Sequence, residues 1–143
     1  MGGKSQIAVV AFVATLAASA SAYSKADIEG RYERTRPSKS DLTVTGSGDQ
    51  WKITLKGAGD PSSAGAAAAD CQMEAVGKLK GDVLTAKVVP FEGDDITVSA
   101  DQLKDGNHLF IIKFDNRGAR VTSQDVSFCG IGSDLLGQYG RRR

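Results

Sequence analysis

NHLFIIKFDNRGARVTSQDV, residues 107–126, is the segment that the rest of the chain is built around. Phe110, Ile112 and Phe114 fall on every second position, with Leu109, Ile111 and Lys113 between them. Successive side chains of an extended strand point to opposite faces, so this spacing predicts a β-strand with apolar residues on both faces. Such a strand is either covered on both sides or leaves one sticky face outward. Asp115-Asn116-Arg117-Gly118 supplies turn residues, Asn and Gly being the types that tolerate positive φ. Beyond it Ala119 and Val121 alternate with Arg120 and Thr122, which makes the whole stretch a hairpin.

The period of two runs upstream as well. From Asp27 onward Ile28, Gly30 and Tyr32 alternate with Glu29, Arg31 and Glu33, until Pro37-Ser38 breaks the pattern. Leu42 and Val44 alternate with Thr43 and Thr45, and Gly46-Ser47-Gly48-Asp49 turns the chain back. Trp51, Ile53 and Leu55 then face one way and Lys52, Thr54 and Lys56 the other. A slip of one residue would put Trp51 in water and Lys52 in the core, so the register is well specified. Cys71, Met73, Ala75, Gly77 and Leu79 share a face opposite Gln72, Glu74 and Lys78. Lys80-Gly81-Asp82 turns into a strand Val83–Phe91, closed by Pro90, which has no N–H to give a ladder. Glu92-Gly93-Asp94-Asp95 is a further turn, Ile96 and Val98 mark a short strand, and Ala100–Gly106 is a loop or one helical turn. Gly57–Ala69 (GAGDPSSAGAAAA) is of low complexity and predicts a disordered loop. After Phe128-Cys129, the glycines at 130, 132 and 137 frame a last strand ending near Tyr139. No internal repeat is visible.

The expected fold is therefore all-β: a small antiparallel up-and-down β-barrel of about eight strands, with a β-sandwich as the alternative. Closure into a barrel is favoured because it removes exposed strand edges. Tyr32, Tyr139 and Trp51 are expected in the core, the tyrosyl hydroxyls at its rim.

The N-terminus carries an address. Lys4 precedes an apolar run from Ile7 to Ala18, and Ala20-Ser21-Ala22 has the small-x-small form of a cleavage site. The run is short for a membrane span, which takes about 20 apolar residues. Residues 1–22 are thus expected to be a cleaved signal peptide and residues 23–143 a single antiparallel β domain, periplasmic or secreted. Lys4 is the only charge lost on cleavage, leaving 17 basic and 17 acidic residues, a balance that argues against nucleic acid as partner. Cys71 and Cys129 are then the only cysteines, and in an oxidising compartment they read as one disulfide. Tying segments 58 positions apart stabilises by about 4 kcal/mol in the loop-entropy picture.

Catalytic chemistry is sparse. His108 is the single histidine, whereas metal sites and nucleophilic triads each need several converging groups. Asp94 and Asp95 are adjacent and fit a turn better than a glycosidase acid pair. Asp101, Asp105 and Asn107 lack the spacing of a helix–loop–helix calcium site. No enzyme activity and no cofactor are expected. Arg31, Arg34 and Arg36 are the candidate binding surface, able to grip an acidic partner or to keep an edge strand soluble. Arg141-Arg142-Arg143 reads as a solvated tail or an electrostatic docking point.

Phe128-Cys129-Gly130-Ile131-Gly132, followed by Gly137-Gln138-Tyr139 and a basic end, resembles the closing stretch of small secreted bacterial β-proteins, some of them grouped with periplasmic lysozyme inhibitors. The resemblance is confined to this stretch and implies a periplasmic β domain with one disulfide. The helical, cysteine-rich head of one such inhibitor group is absent, and no inhibitory loop matches residue by residue. Gly30-x-Tyr32 resembles the Gly-x-Trp of lipocalins, with tyrosine for tryptophan. The expected function is that of an exported binding protein, an inhibitor or immunity protein acting on a cell-envelope enzyme such as a lysozyme. A lipocalin-like carrier of a small apolar ligand is one alternative. An envelope assembly protein using Leu109–Phe114 is another. The partner is expected to be an envelope protein, and the chain a monomer or weak dimer with no membrane span after processing. The intact mass of the exported protein should equal that of residues 23–143 less two hydrogens; an uncleaved chain, or two free thiols, contradicts this reading.

Overall fold

Alternating burial builds the strands in the computed structural model, which describes residues 25–58, 70–94, 96–123, 129 and 134–143. The signal peptide expected at 1–22, and Asp95, lie outside the described residues. After a helical turn α1 (Lys25–Ile28) come β1 (Gly30–Arg34), β2 (Ser40–Ser47), β3 (Gln50–Ala58), β4 (Asp70–Lys80) and β5 (Val83–Val88). Two short strands follow, β6 (Phe91–Glu92) and β7 (Thr97–Val98), with a 3-10 turn at Asp101–Leu103. The chain ends with β8 (Leu109–Asp115), β9 (Gly118–Ser123) and β10 (Gly137–Arg141). Eight of these strands form a closed antiparallel barrel in the order β1-β10-β9-β8-β5-β4-β3-β2, while β6 and β7 pair separately. The barrel, rather than the sandwich, is the fold.

The inward positions are those that the alternation marked. Leu42, Val44, Ile53, Leu55, Met73, Ala75, Leu84, Phe110 and Ile112 are completely buried, and Trp51 and Phe114 nearly so. Burying each large side chain contributes about 1.5–3 kcal/mol. In the central hairpin Ile112 pairs with Val121, Phe114 with Ala119 and Asp115 with Gly118. Of the two readings of its apolar strand, the outward-facing one holds: Leu109 is 39% exposed and Ile111 half-buried.

Three boundaries differ from expectation. Residues 25–28 are helical, so the first strand begins at Gly30 and not at Asp27. The strand expected at Val83–Phe91 splits at Val89-Pro90, and the still buried Phe91 leaves the barrel ladder to pair with Val98. Proline's missing N–H makes this a natural breaking point. Gly57 and Ala58 belong to β3, where they pair with Cys71 and Asp70, and not to the loop expected at Gly57–Ala69.

Closure rests on a short internal repeat, where none was expected. Asp27-Ile28-Glu29-Gly30-Arg31-Tyr32-Glu33-Arg34 and Asp134-Leu135-Leu136-Gly137-Gln138-Tyr139-Gly140-Arg141 share Asp, a branched aliphatic, Gly, Tyr and Arg at equal spacing. Their strands, β1 and β10, are antiparallel neighbours with Tyr32 opposite Arg141. Each copy therefore clamps the other. Arg34 donates to the carbonyls of Asp134 (2.5 Å) and Leu136 and lies over the Tyr139 ring at 5.5 Å. Arg141 donates to the carbonyls of Asp27 (2.6 Å) and Glu29 (2.7 Å) and lies over the Tyr32 ring at 6.0 Å. Between each pair of clamped carbonyls sits a fully buried plug residue, Ile28 at one end of the barrel and Leu135 at the other. The tyrosyl hydroxyls bond back to those same plugs, Tyr32 to Ile28 O at 2.6 Å and Tyr139 to Leu135 O at 2.8 Å. Burial raises both phenol pKa values, and the neighbouring guanidinium opposes the rise in each case. The plug must bend into the barrel just before its strand starts. Gly30 (φ 155°) and Gly137 (φ 126°) supply that bend, in a region open mainly to glycine.

Arg34 is thus a buried structural cation. Its loss strands two carbonyls and two seryl hydroxyls, each costing about 1–3 kcal/mol if left unpaired. Arg34→Met should lower the urea-unfolding free energy by about 3 kcal/mol or more, whereas Arg31→Met on the outer face should change it by no more than about 0.5 kcal/mol. Equal effects would contradict the clamp.

Candidate functional site

The two ends of the barrel are built differently. At one end tight turns at Gly48-Asp49, Gly81-Asp82 and Asn116-Arg117 join the strands. At the other end β1, β3, β5 and β9 finish and β2, β4, β8 and β10 start, and more sequence separates each of these strand ends than at the tight turns. A rigid scaffold carrying longer loops at one end is the usual arrangement for recognition, because loop backbones can vary without disturbing the core. That end is the candidate site.

A disulfide secures it. Cys71 is the second residue of β4, and its bond to Cys129, with Cα atoms 5.3 Å apart, ties the start of that strand to the connection between β9 and β10. Beside it Lys39, Asp41, Lys56, Gln72 and Ile96 border a pocket of about 340 Å³. The ladder explains the grouping: Asp41 lies opposite Lys56 on the outer face, and Lys56 opposite Gln72. Ile96 arrives on the β6–β7 excursion, which Lys56 tethers through an ion pair to Asp94 at 2.8 Å. The hydrogen bond from Lys56 and its charge hold the exposed Asp94 carboxyl below its ordinary pKa. Both partners are largely exposed, so the pair positions the hairpin and adds little stability.

The three arginines expected to form one surface are not brought together. Arg31 is exposed on the outer face of β1, and Arg36 is exposed in the bend before Pro37. Arg34 does not belong to a binding surface: it is 3% exposed inside the barrel end, where it also donates to Ser38 (3.0 Å) and Ser40 (3.1 Å). The same alternation that turns Tyr32 inward turns Arg34 inward. The C-terminal basic run is likewise not a solvated tail. Arg141 clamps, and Arg142 bonds Glu33 at 2.8 Å and approaches Asp41 at 3.8 Å.

His108 is buried, with positive φ (39°), and its carbonyl accepts from Val88 N–H at 3.0 Å. Asp101 is exposed and paired with Lys104 at 2.5 Å. Among the described residues no three His, Cys, Asp or Glu side chains converge as a metal site, and no helix is long and apolar enough to cross a membrane. Lys39, Lys56 and Gln72 carried no sequence signal, since only strand pairing makes them neighbours. In comparisons with known proteins, no family model, no curated protein and no solved structure matches the chain.

Because the disulfide closes a 58-residue span at this end, replacing both cysteines by alanine should cost about 4 kcal/mol in denaturant unfolding. Far-ultraviolet circular dichroism should still report strands, since the clamps remain. A bridge with no structural role would leave stability unchanged.

Proposed function

We propose that this chain is an exported binding protein, an inhibitor or immunity protein that docks on a cell-envelope enzyme such as a lysozyme. The observation that carries the reading is the filled interior. Inward side chains of all eight barrel strands pack together, with Ile28 and Leu135 plugging the ends, which leaves recognition to the outer surface and the rim. A frame clamped at both ends and bridged at one presents its rim rigidly, and a rigid binder loses less conformational freedom on docking. The disulfide fits an oxidising compartment, periplasmic or extracellular. A lipocalin-like carrier is less well supported, because completely buried Leu42, Ile53, Leu84, Phe110 and Ile112 occupy the space such a ligand would need. An assembly role has the exposed Leu109 and Leu136 in its favour, yet single exposed apolar residues are ordinary.

Immobilised oxidised protein should retain a hydrolase from periplasmic extract in stoichiometric amount, and mixing the two in solution should suppress that enzyme's activity. Neither complex nor inhibition would sink the proposal. Self-association alone on a sizing column would favour the assembly role instead.

A further inference from the structure

We propose a second site at the tight-turn end of the barrel: a pocket for a small oxyanion, carboxylate or phosphate, gripped by Arg117, Arg141 and Arg143. The two clamps differ in their surroundings. Arg34 and Arg141 do the same structural work, each spanning two carbonyls and lying over a tyrosine ring. Arg34 is sealed in, with two seryl hydroxyls against its Nη2. Arg141 is exposed and opens on a pocket of about 450 Å³, which Tyr32, Phe114, Asn116, Arg117 and Arg143 also line. That size suits a small molecule, such sites being roughly 300–1,000 Å³.

Charge and rigidity point the same way. Three guanidiniums line the pocket against the carboxylates of Asp27 and Asp115. Asp115 is already engaged, accepting from the Arg117 N–H at 2.8 Å and its guanidinium at 3.3 Å, and this holds its pKa below the ordinary value. That pair cancels one charge of each sign, and the formal count of three guanidiniums against two carboxylates leaves one positive charge in excess. Arg141 is oriented in advance by its carbonyl bonds and by Tyr32, so an arriving anion orders little that is not already ordered. Arg141 spends an N–H of each Nη on those carbonyls and contributes its charge, while Arg117 and Arg143 bring guanidinium donors of the kind that carboxylates and phosphates accept from. Tyr32 and Phe114, 1% and 3% exposed, make an apolar floor, and charges interact more strongly beside such a surface than in open water. This site lies at the opposite end from the rim and does not depend on the binding partner proposed above.

Calorimetric titration of the oxidised protein with inorganic phosphate, and separately with succinate, tests the site and tells the two oxyanions apart. At least one should bind saturably, one per chain. Arg117→Gln and Arg143→Gln, both outside the clamp, should each weaken binding about tenfold, as loss of a charge-assisted hydrogen bond does. Lys87→Gln, on the outer face of β5, should leave it unchanged. No saturable binding of either anion overturns the proposal, as does equal affinity in the arginine variants or an equal loss in Lys87→Gln.

Discussion

Between β1 and β10 the ladder has only two register pairs, Tyr32 with Arg141 and Glu33 with Gly140, and the closed barrel depends on that short seam holding. By contrast β2 and β3 pair over eight positions. The reciprocal arginine clamps offset the difference. Each one ties the last residue of one strand to carbonyls one and three residues before the other, so the seam is pinned beyond both of its ends. The bond from Arg142 N–H to Arg31 O at 2.8 Å lengthens it by one more step. Charge-assisted bonds are stronger than neutral ones, and here they also give partners to the backbone carbonyls on either side of each plug.

The two clamps sit in different surroundings. Arg34 is sheathed and Arg141 is not, although both perform the same closure. The sheathed end also carries the disulfide, so the strand ends there are doubly secured. At the tight-turn end Asn116-Arg117 and its companion turns join the strands, and Arg141 closes the seam beside an open pocket. The sealed end and the open one are a single repeated sequence motif placed in two surroundings.

Much of the fold was legible from residue order. The alternation of Trp51, Ile53 and Leu55 with lysines and threonine, and of Phe110, Ile112 and Phe114 with their neighbours, is a local property that burial then obeys. The pairing of Cys71 with Cys129 followed from there being no other cysteine. The candidate surfaces were far less legible. Arg31, Arg34 and Arg36 look like one cluster in the chain, yet a period of two sends the second inward, and it is paired with carbonyls a hundred residues away. Lys39, Lys56 and Gln72 sit on three separate segments and meet only through two ladders.

By itself the sequence determined which residues face the core, where the tight turns fall, and that the strands are antiparallel and joined mainly in order, because periodicity and turn chemistry act within a few residues of each other. Only the tertiary structure decided how the barrel closes, that Asp27–Arg34 and Asp134–Arg141 are two copies of one device, and where each arginine ends up. The physical reason is that a guanidinium's role depends on the acceptors it meets. For Arg34 and Arg141 those acceptors are carbonyls at the far end of the chain, which come within reach once eight strands have been laid side by side.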